Sequence, residues 1–358
     1  MATTADAPPA APVRTGRIDG IDLARAAAMF GMVVVHYVSI DGTEGALGTF
    51  AAAMAGRAMP LFMMLGGVGV HLATARSPHP DRDLLIRAVI LLLLGMVVHE
   101  LTARIAIVLQ SYGLFFLLSP LFRRLPRPLL LVGAALVTAV GAVTYQQFTP
   151  PPLFTTFEML GEPVTLLQSL FFTGYYPFFP VVAFFLVGIW IGGLDLRSDR
   201  VALTLAGVGT VVGIGVMVVA NALVDRLELS VARFDGDDVF RAANLLNTEG
   251  HSEMPAWVLS AGGTSAAVIG ISLLIAPRAR RVLTPVLALG TLALTFYIFQ
   301  AIVIHLAPPL SETTIEEEFR LVLILYGGFV LFAWGWKYFF RSGPFESLLR
   351  YPTKKLPG

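Results

Sequence analysis

Ten apolar segments follow one another along the chain and are separated by polar loops. A helix needs about 20 mostly apolar residues to cross the hydrocarbon core of a bilayer. Backbone groups in lipid must find their hydrogen bonds within the segment, which favours helices over strands. The pattern predicts an all-α, polytopic transmembrane helix bundle of about ten spans. The predicted spans are 20–40, 56–75, 84–102, 105–122, 127–145, 174–194, 201–222, 256–276, 285–306 and 319–339.

Composition supports this class and excludes several others. Hydrophobic residues make up 56% of the chain, charged residues only 14%, and the mean hydropathy is +0.75. A soluble domain of 358 residues would carry more charge. Because cysteine is absent, disulfides, thiolate nucleophiles and Cys-ligated metals are excluded. The six histidines show no zinc spacing, and the basic residues form no stripe typical of nucleic-acid binding, so we expect neither a metal nor a nucleic-acid partner.

The distribution of basic residues indicates the orientation of the chain. Eighteen of the 25 Lys and Arg residues fall in loops and tails assigned to the cytoplasm, and six fall on the other side. Since cytoplasmic loops are enriched in Lys and Arg, we expect both termini inside. The expected parts are a disordered cytoplasmic tail (1–17), a transmembrane domain (18–340) and a cytoplasmic C-terminal tail (341–358). A signal peptide is the alternative for the start, but the apolar run 21–40 is too long and lacks a cleavage site.

Three ionisable residues share one edge of the first predicted span. At about 100° per residue, Asp22, Arg25 and His36 fall within an arc of about 60°. Asp22 and His36 are about 21 Å apart along the helix axis. An ionisable side chain in a span costs about 2.5–3.5 kcal/mol unless it faces protein or water, which suggests a functional cavity. The alternative is structural: an Asp22–Arg25 ion pair at the helix start and a His36 bonded to a neighbouring span.

Other polar residues lie near the ends of later spans. On the outer side they are Arg57, His99, Glu100, Gln300 and His305, and on the inner side His71 and Arg87. Histidine can pass protons near neutral pH, so the histidines are candidates for catalysis. For His99 and Glu100 an interface anchor is the alternative. His251-Ser252-Glu253 precedes the eighth span, where the alternative is a helix N-cap formed by Ser252.

Several motifs resemble one known family, in the same order along nearly the whole chain. Arg17-Ile-Asp-Gly-Ile-Asp-Leu-Ala-Arg25, with the run to His36, resembles the opening of integral-membrane acyltransferases. Further similar segments are 56–69, 105–113, 251–255, 289–300 and 336–350. The resemblance is to YeiB-like proteins, known as domain of unknown function 418, within the transmembrane acyltransferase superfamily of the heparan-alpha-glucosaminide N-acetyltransferases. Thr291 and Phe296 replace residues usual in the family, and His36 stands where the heparan enzymes have an Asn.

The resemblance implies transfer of an acyl group, expected to be acetyl, from cytoplasmic acyl-CoA to an envelope glycan or lipid. It implies acetyl-CoA as co-substrate and no metal. The candidate catalytic residues are His36 as base or relay, His251 as the alternative base, and Gln300. The candidate binding residues are Asp22, Arg25, Arg57, Arg87, His99, Glu100, Tyr112 and Tyr297. Expected partners are membrane lipid, the acyl donor and the acceptor, with a homodimer left open, and the expected location is the bacterial cytoplasmic membrane.

Two other functions fit the same features. A transporter or flippase of an envelope precursor would also place charges and glycines within its spans. A membrane sensor or scaffold without catalysis would tolerate replacement of those charges. The sequence lacks paired, broken spans in two matching halves, which favours the enzyme over the transporter.

Overall fold

The computed structural model describes residues 17–39, 45–75, 77–102, 105–147, 160–173, 176–231, 241–306 and 313–355, and within these ranges all regular structure is helical. The α-helices are α1 (Asp19–Tyr37), α2 (Gly45–Met54), α3 (Ala58–Thr74), α4 (Pro80–Leu101), α5 (Leu109–Phe122), α6 (Arg127–Gln147), α7 (Pro163–Gln168), α8 (Phe178–Gly192), α9 (Asp199–Arg226), α10 (Pro255–Arg278), α11 (Arg280–Gly290), α12 (Ala293–Leu306), α13 (Ile315–Phe339) and α14 (Pro344–Lys355). A π-helical turn (Ser169–Thr173) lies between α7 and α8, and a 3₁₀ turn (Ala242–Leu246) lies between α9 and α10. The expected N-terminal tail lies outside the described residues, except for Arg17.

Each predicted span coincides with a helix or a pair of helices, which confirms the all-α membrane bundle. The number ten is not confirmed. Among the described residues, six helical stretches are long and apolar enough to cross a bilayer: Gly45–Thr74, Pro80–Leu101, Arg127–Gln147, Asp199–Arg226, Pro255–Arg278 and Ile315–Phe339. A bent pair raises the number to seven, while α5 and α8 are shorter apolar helices. The first helix, α1, carries Asp19, Asp22 and Arg25 in its first two turns, which lowers its hydropathy.

The predicted continuous span 285–306 is instead two helices. The axes of α11 and α12 differ by 63° across the break at Thr291 and Leu292. Gly290 ends α11 in backbone contact with α1, where a Cβ would lie 1.9 Å from the carbonyl oxygen of Asp22. The Thr291 hydroxyl donates to the carbonyl oxygen of Ala288 at 2.7 Å, as is common where a helix ends. The break lies inside the bundle and exposes helix ends to its interior.

Glycine allows the central helices to touch through their backbones. A Cβ on Gly67 of α3 would lie 2.1 Å from the carbonyl oxygen of Phe185 of α8. Conversely, a Cβ on Gly188 would lie 2.1 Å from the carbonyl oxygen of Met64. This confirms the close packing expected of small residues in membrane bundles.

The last span runs antiparallel to the first and is bonded to it near its middle and at its C-terminal end. Tyr326 of α13 donates its hydroxyl to the carbonyl oxygen of Ala26 at 2.9 Å. The buried carboxylate of Glu318 accepts from the amide and hydroxyl of Ser39, at 2.8 and 2.9 Å. The start of α1 and the end of α13 therefore lie on one face of the bundle, which we call the terminal face. The expected cytoplasmic tail also contains α14, which packs back onto this face.

The outward faces of the peripheral helices are apolar. On α4, Val89, Leu93 and Val97 are exposed at intervals of four residues, so they form one stripe. On α6, Leu136 and Val140 are likewise exposed. Such stripes suit contact with lipid chains, in agreement with a multi-pass membrane protein.

Candidate functional site

A cavity of about 830 Å³ lies at the terminal face of the bundle. Its walls come from α1, α3, α4, α5, α12 and α14, together with the α11–α12 break. On α3 the lining runs from Ala73 at the mouth to Phe62, which corresponds to about 16 Å along the helix. The cavity therefore reaches well into the membrane-spanning part of the bundle.

Asp22 organises the charges on one side of the mouth. Its carboxylate is 2% exposed and is bonded by Arg17 and Arg25, both of which line the cavity. The Arg17 guanidinium binds both carboxylate oxygens, and Arg25 Nη1 lies 3.0 Å from Oδ1. This confirms the Asp22–Arg25 ion pair expected at the helix start. Because one carboxylate faces two guanidiniums, the cluster retains a positive charge.

Arg87 stands on the opposite wall, on α4. Within the described parts of the chain no ion pair of Arg87 is found; Asp83 on its own helix attracts its charge and Arg350 repels it. Asp83 is itself occupied, since Ser77 Oγ donates to its Oδ2 at 2.6 Å. Arg87 therefore presents its guanidinium to the cavity.

Aromatic and aliphatic side chains line the deeper part of the cavity. Tyr112 contributes its ring, which stacks on Phe116 with centroids 6.2 Å apart. Its hydroxyl donates to the carbonyl oxygen of Phe62, so its proton is already engaged. Gly66 makes room for that ring, because a Cβ there would lie 2.7 Å from it. Beyond the arginines, the walls suit a long, weakly polar group.

Tyr297 places a hydroxyl at the deep end of the cavity. Its oxygen accepts the amide N–H of Val108 at 3.1 Å, and both residues line the cavity. Since the amide must be the donor, the phenolic hydrogen remains free to point toward a bound group. This geometry would let Tyr297 orient an acceptor or donate to a developing oxyanion.

His36 and Gln300 form a pair just beyond that end. Gln300 Nε2 lies 2.9 Å from His36 Nδ1, which confirms the expected bond to a neighbouring span. Gln300 follows Tyr297 by three residues, about 4.5 Å farther along α12. Neither member of the pair lines the cavity, so the continuous opening from Asp22 to His36 suggested by the helical arc is not seen. Gln300 is buried, and its Oε1 accepts no hydrogen bond within the described ranges.

His251 lies in a tight segment before α10, away from the cavity. His251 and Glu253 both have positive φ, of 61° and 60°, which non-glycine residues rarely adopt. Their side chains approach to 3.6 Å, and Glu253 is fully buried. The expected N-cap at Ser252 is wrong: Met254 is the cap residue, and the Ser252 hydroxyl bonds to the carbonyl oxygen of Asn247 at 3.2 Å.

The remaining predicted residues lie outside the cavity lining. Arg57 Nη1 donates to Ser260 Oγ at 2.9 Å, which ties the start of α3 to α10. His99 Nδ1 lies 3.0 Å from Gln110 Nε2, at the end of α4 far from its cavity-lining turns. Glu100 follows it at the same end. The structure therefore brings together Asp22, Arg25, Arg87, Tyr112 and Tyr297, and it separates them from Arg57, His99, Glu100 and His251.

Sequence reasoning missed several residues of the mouth. Arg17 was assigned to a disordered tail, and Glu346, Leu349 and Arg350 to a C-terminal tail, yet all four line the cavity. The signal available was the resemblance itself, because the first and last quoted motifs contain these positions. In the part of the chain that the structure describes, no group of three or more His, Asp or Glu side chains is arranged to hold a metal ion.

Comparison with protein families decides the assignment. Residues 17–216 match heparan-alpha-glucosaminide N-acetyltransferase, catalytic, over more than half of the chain. The chain belongs to the heparan-alpha-glucosaminide N-acetyltransferase catalytic family. Residues 246–355 also match the family described as protein of unknown function (DUF418). No curated protein matches the chain.

In this acetyltransferase family member, the two matched regions meet at the cavity. The first region supplies the walls from α1, α3, α4 and α5, including Asp22, Arg87 and Tyr112. The second supplies Tyr297 and Arg350. The His36–Gln300 bond also joins the two regions. The second region, which has no described function of its own, therefore completes the site of the first.

Proposed function

We propose that this protein is an integral membrane acetyltransferase that moves an acetyl group from cytoplasmic acetyl-CoA to a glycan or lipid of the cell envelope. The observation that carries the proposal is the cavity at the terminal face, with arginines at its mouth and an apolar interior that ends beside Tyr297. The membership in an N-acetyltransferase family supports the reaction class. The excess of Lys and Arg in loops on the same side supports a cytoplasmic mouth in the bacterial cytoplasmic membrane.

The shape and charge of the cavity suit an acyl-CoA. Arginine pairs well with phosphates because its planar guanidinium offers several donors. Arg87 and the Asp22-linked arginines stand where the nucleotide end would enter. The apolar interior accepts the pantetheine arm and carries the thioester toward Tyr297.

The chemistry needs a base for the acceptor and a donor for the oxyanion. The acceptor hydroxyl or amine attacks the thioester carbonyl and gives its proton to His36. The C–S bond then breaks and His36 returns the proton to the departing sulfur, so that CoA leaves as the thiol. Tyr297 donates its phenolic hydrogen to the carbonyl oxygen as negative charge develops. With its side-chain amide turned over, Gln300 accepts the Nδ1–H of His36 through Oε1, which leaves His36 Nε2 free to take the proton. His36 is half-buried and lies outside the cavity, so the acceptor approaches from the face opposite to the donor.

Sealed vesicles from the envelope of expressing cells test this proposal. Radiolabelled acetyl-CoA is supplied only to the side of the terminal face, and the label is then followed in glycan and lipid fractions. Covalent label on an envelope component, absent from vesicles without the protein, is the expected result. No covalent label in any fraction, while the protein is folded, contradicts the proposal.

A transporter is the second candidate, and the α11–α12 break favours it, since broken helices line many transport sites. Within the described helices this is one bent pair rather than two in matching halves. The vesicle experiment separates the candidates, because a transporter moves unmodified substrate and leaves no covalent label.

A further inference from the structure

A second cavity opens at the surface of the bundle, between α9 and α10. Its volume is about 490 Å³, and every residue that lines it is apolar. One wall belongs to α9 and the other to the first turns of α10, and Leu245 and Leu246 of the 3₁₀ turn complete the lining. We call this cavity the α9–α10 groove. Among the described residues, none lines both the groove and the cavity at the terminal face.

The groove lies in the half of the membrane opposite the terminal face. Asp19 at the start of α1 pairs with Arg280, just beyond the end of α10, at 2.8 Å, and a further ion pair joins the end of α10 to the start of α9. The groove is instead lined by the later part of α9, from Val211 to Leu223, which are about 18 Å apart along the helix. One half of the hydrocarbon core of a bilayer is about 15 Å thick. The groove therefore matches the depth of one leaflet.

The elements around the groove are fixed by contacts next to it. On the side of the terminal face, α9 and α10 touch through their backbones, since a Cβ on Gly213 would lie 2.6 Å from the amide nitrogen of Thr264 and one on Gly263 would lie 2.4 Å from that of Gly213. The 3₁₀ turn is tied to α6, because Gln146 Oε1 accepts the side-chain amide of Asn244 at 3.1 Å. The groove is therefore a shaped site between fixed elements.

Gly215 makes the groove deep on the side of α9. A Cβ at Gly215 would meet no described atom within 4 Å, so the space above it is open. Val211 and Val219 precede and follow it by one turn on the same face of the helix, and they are 72% and 58% exposed. The groove is thus continuous with the apolar, lipid-facing surface of α9. A ligand reaches it from the hydrocarbon phase of the membrane.

Polar groups lie near the outer end of this apolar groove. Asn221 follows Ala220 of the lining, and its Oδ1 accepts the hydroxyl of Thr248 at 2.8 Å in an exposed position. Binding sites for small molecules commonly combine apolar walls with a few polar groups that fix the orientation of the ligand. Apolar walls over the depth of a leaflet, with hydrogen-bonding groups at the outer end, match the chain and the head group of a lipid.

We propose that the α9–α10 groove binds one hydrocarbon chain of a membrane phospholipid from the leaflet opposite the terminal face, with the head group beside Asn221 and Thr248. The site is separate from the cavity at the terminal face and requires neither acetyl-CoA nor acetyl transfer. The bound chain fills the space that side chains leave open between α9 and α10. Because such a lipid binds only the folded bundle, it stabilises the pair of helices.

Photolabelling of the full-length protein in nanodiscs locates the bound lipid directly. The nanodiscs contain phosphatidylcholine and a small share of phosphatidylcholine with a diazirine in one chain, and labelled residues are identified by mass spectrometry. We expect the label to concentrate on Val216 and Leu259 of the groove, relative to Leu93 of α4 and Leu136 of α6, which are exposed on lipid-facing surfaces. Equal labelling of all four positions overturns the proposal.

Two leucine variants test whether the groove itself holds the chain. Gly215→Leu fills the groove, whereas Gly207→Leu places the same side chain on the same helix outside it, at a position where a Cβ also meets no described atom within 4 Å. Labelling of Val216 and Leu259 should fall several-fold in Gly215→Leu and stay as in the wild type in Gly207→Leu. Unchanged labelling in folded Gly215→Leu contradicts the proposal. The labelling pattern of the wild type remains decisive if a variant fails to fold.

A single cysteine tests the rival occupant, which is a second copy of this chain. The sequence contains no cysteine, so Val219→Cys introduces the only thiol, on the exposed edge of the groove. With a phospholipid in the groove, mild oxidation in native membranes should leave the protein monomeric on a non-reducing gel. Disulfide-linked dimers in high yield would show that α9 of another copy covers the groove, and the proposal would then be wrong.

Discussion

Replacement of Gly290 by alanine should separate two helices that form the cavity. A Cβ at this position would lie 1.9 Å from the carbonyl oxygen and 2.6 Å from the carbonyl carbon of Asp22. Real Cβ contacts stay above 3.0 Å, so α11 and α1 must move apart by about 1.1 Å. The backbone atoms of Asp22 cannot rotate away from the added Cβ, as the end of a flexible side chain could. In addition, Gly20 of α1 is already in backbone contact with Leu273 of α10, which restricts the movement of α1.

Such overpacking typically costs about 1–3 kcal/mol. Gly335→Ala provides a control with the opposite expectation, because nothing lies within 4 Å of a Cβ at that position. Alanine within a helix is favoured over glycine by about 0.5–1 kcal/mol. We therefore expect Gly290→Ala to unfold more easily than the wild type, and Gly335→Ala to be equal or slightly more stable.

Thermal unfolding of both variants in detergent, followed by tryptophan fluorescence, measures the difference. CoA binding by the same samples reports on the cavity, since a displaced Asp22 carries Arg17 and Arg25 with it. The Gly290 variant should lose both stability and CoA affinity. If the two alanine variants melt at the same temperature, the contact between α11 and α1 is not as close as described, and the reasoning fails.

Three further variants test the C-terminal end of α1 and the deep end of the cavity. His36→Ala should lower acetyl transfer about 10²–10⁴-fold with membrane insertion intact, measured by label transfer and membrane fractionation; full activity would remove His36 from the mechanism. Tyr297→Phe should lower the free energy of unfolding by about 1–3 kcal/mol, because the buried amide of Val108 loses its acceptor, and an unchanged melting temperature would contradict this. Glu318→Ala should speed hydrogen exchange at the amide of Ser39, which it now accepts at 2.8 Å, and unchanged exchange there would show that the bond is dispensable.

The fold class followed from the sequence because lipid leaves few solutions for long apolar segments. The positions of the ten apolar segments were predictable for the same reason, whereas α2, α7 and α14 lie outside the predicted spans. The break at Thr291 was not, because the apolar pattern continues through it and the cause is a contact with α1 far away in sequence. The number of spans could not be predicted either, because α5 and α8 are shorter than a helix that crosses a bilayer and are buried by neighbouring helices.

Some residues of the candidate site could be predicted from the sequence, and others could not. The difference lies in the polarity of the surrounding sequence. Asp22, Arg25 and Arg87 stood out because charges are costly in apolar segments. Arg17, Glu346 and Arg350 lie in polar regions where charge is ordinary, so only their packing shows their part in the cavity. The arc shared by Asp22 and His36 correctly grouped them on one helix edge but did not show that the cavity ends before His36. Helical periodicity shows on which side of a helix a residue lies, whereas the depth of a cavity depends on the side chains of other helices.

Glu346 of α14 accepts hydrogen bonds from Leu294 and Thr295 at the start of α12, and this attachment has a consequence for biogenesis. Arg350 is the last lining residue in chain order, and Arg17 is the first. A nascent chain therefore inserts all of its spans before the cavity is complete. A chain that stops after Phe339 would retain the bundle and its helices but lack the wall formed by Glu346, Leu349 and Arg350. The mouth of the cavity would thus lack one wall until α14 has been made and has packed against the bundle.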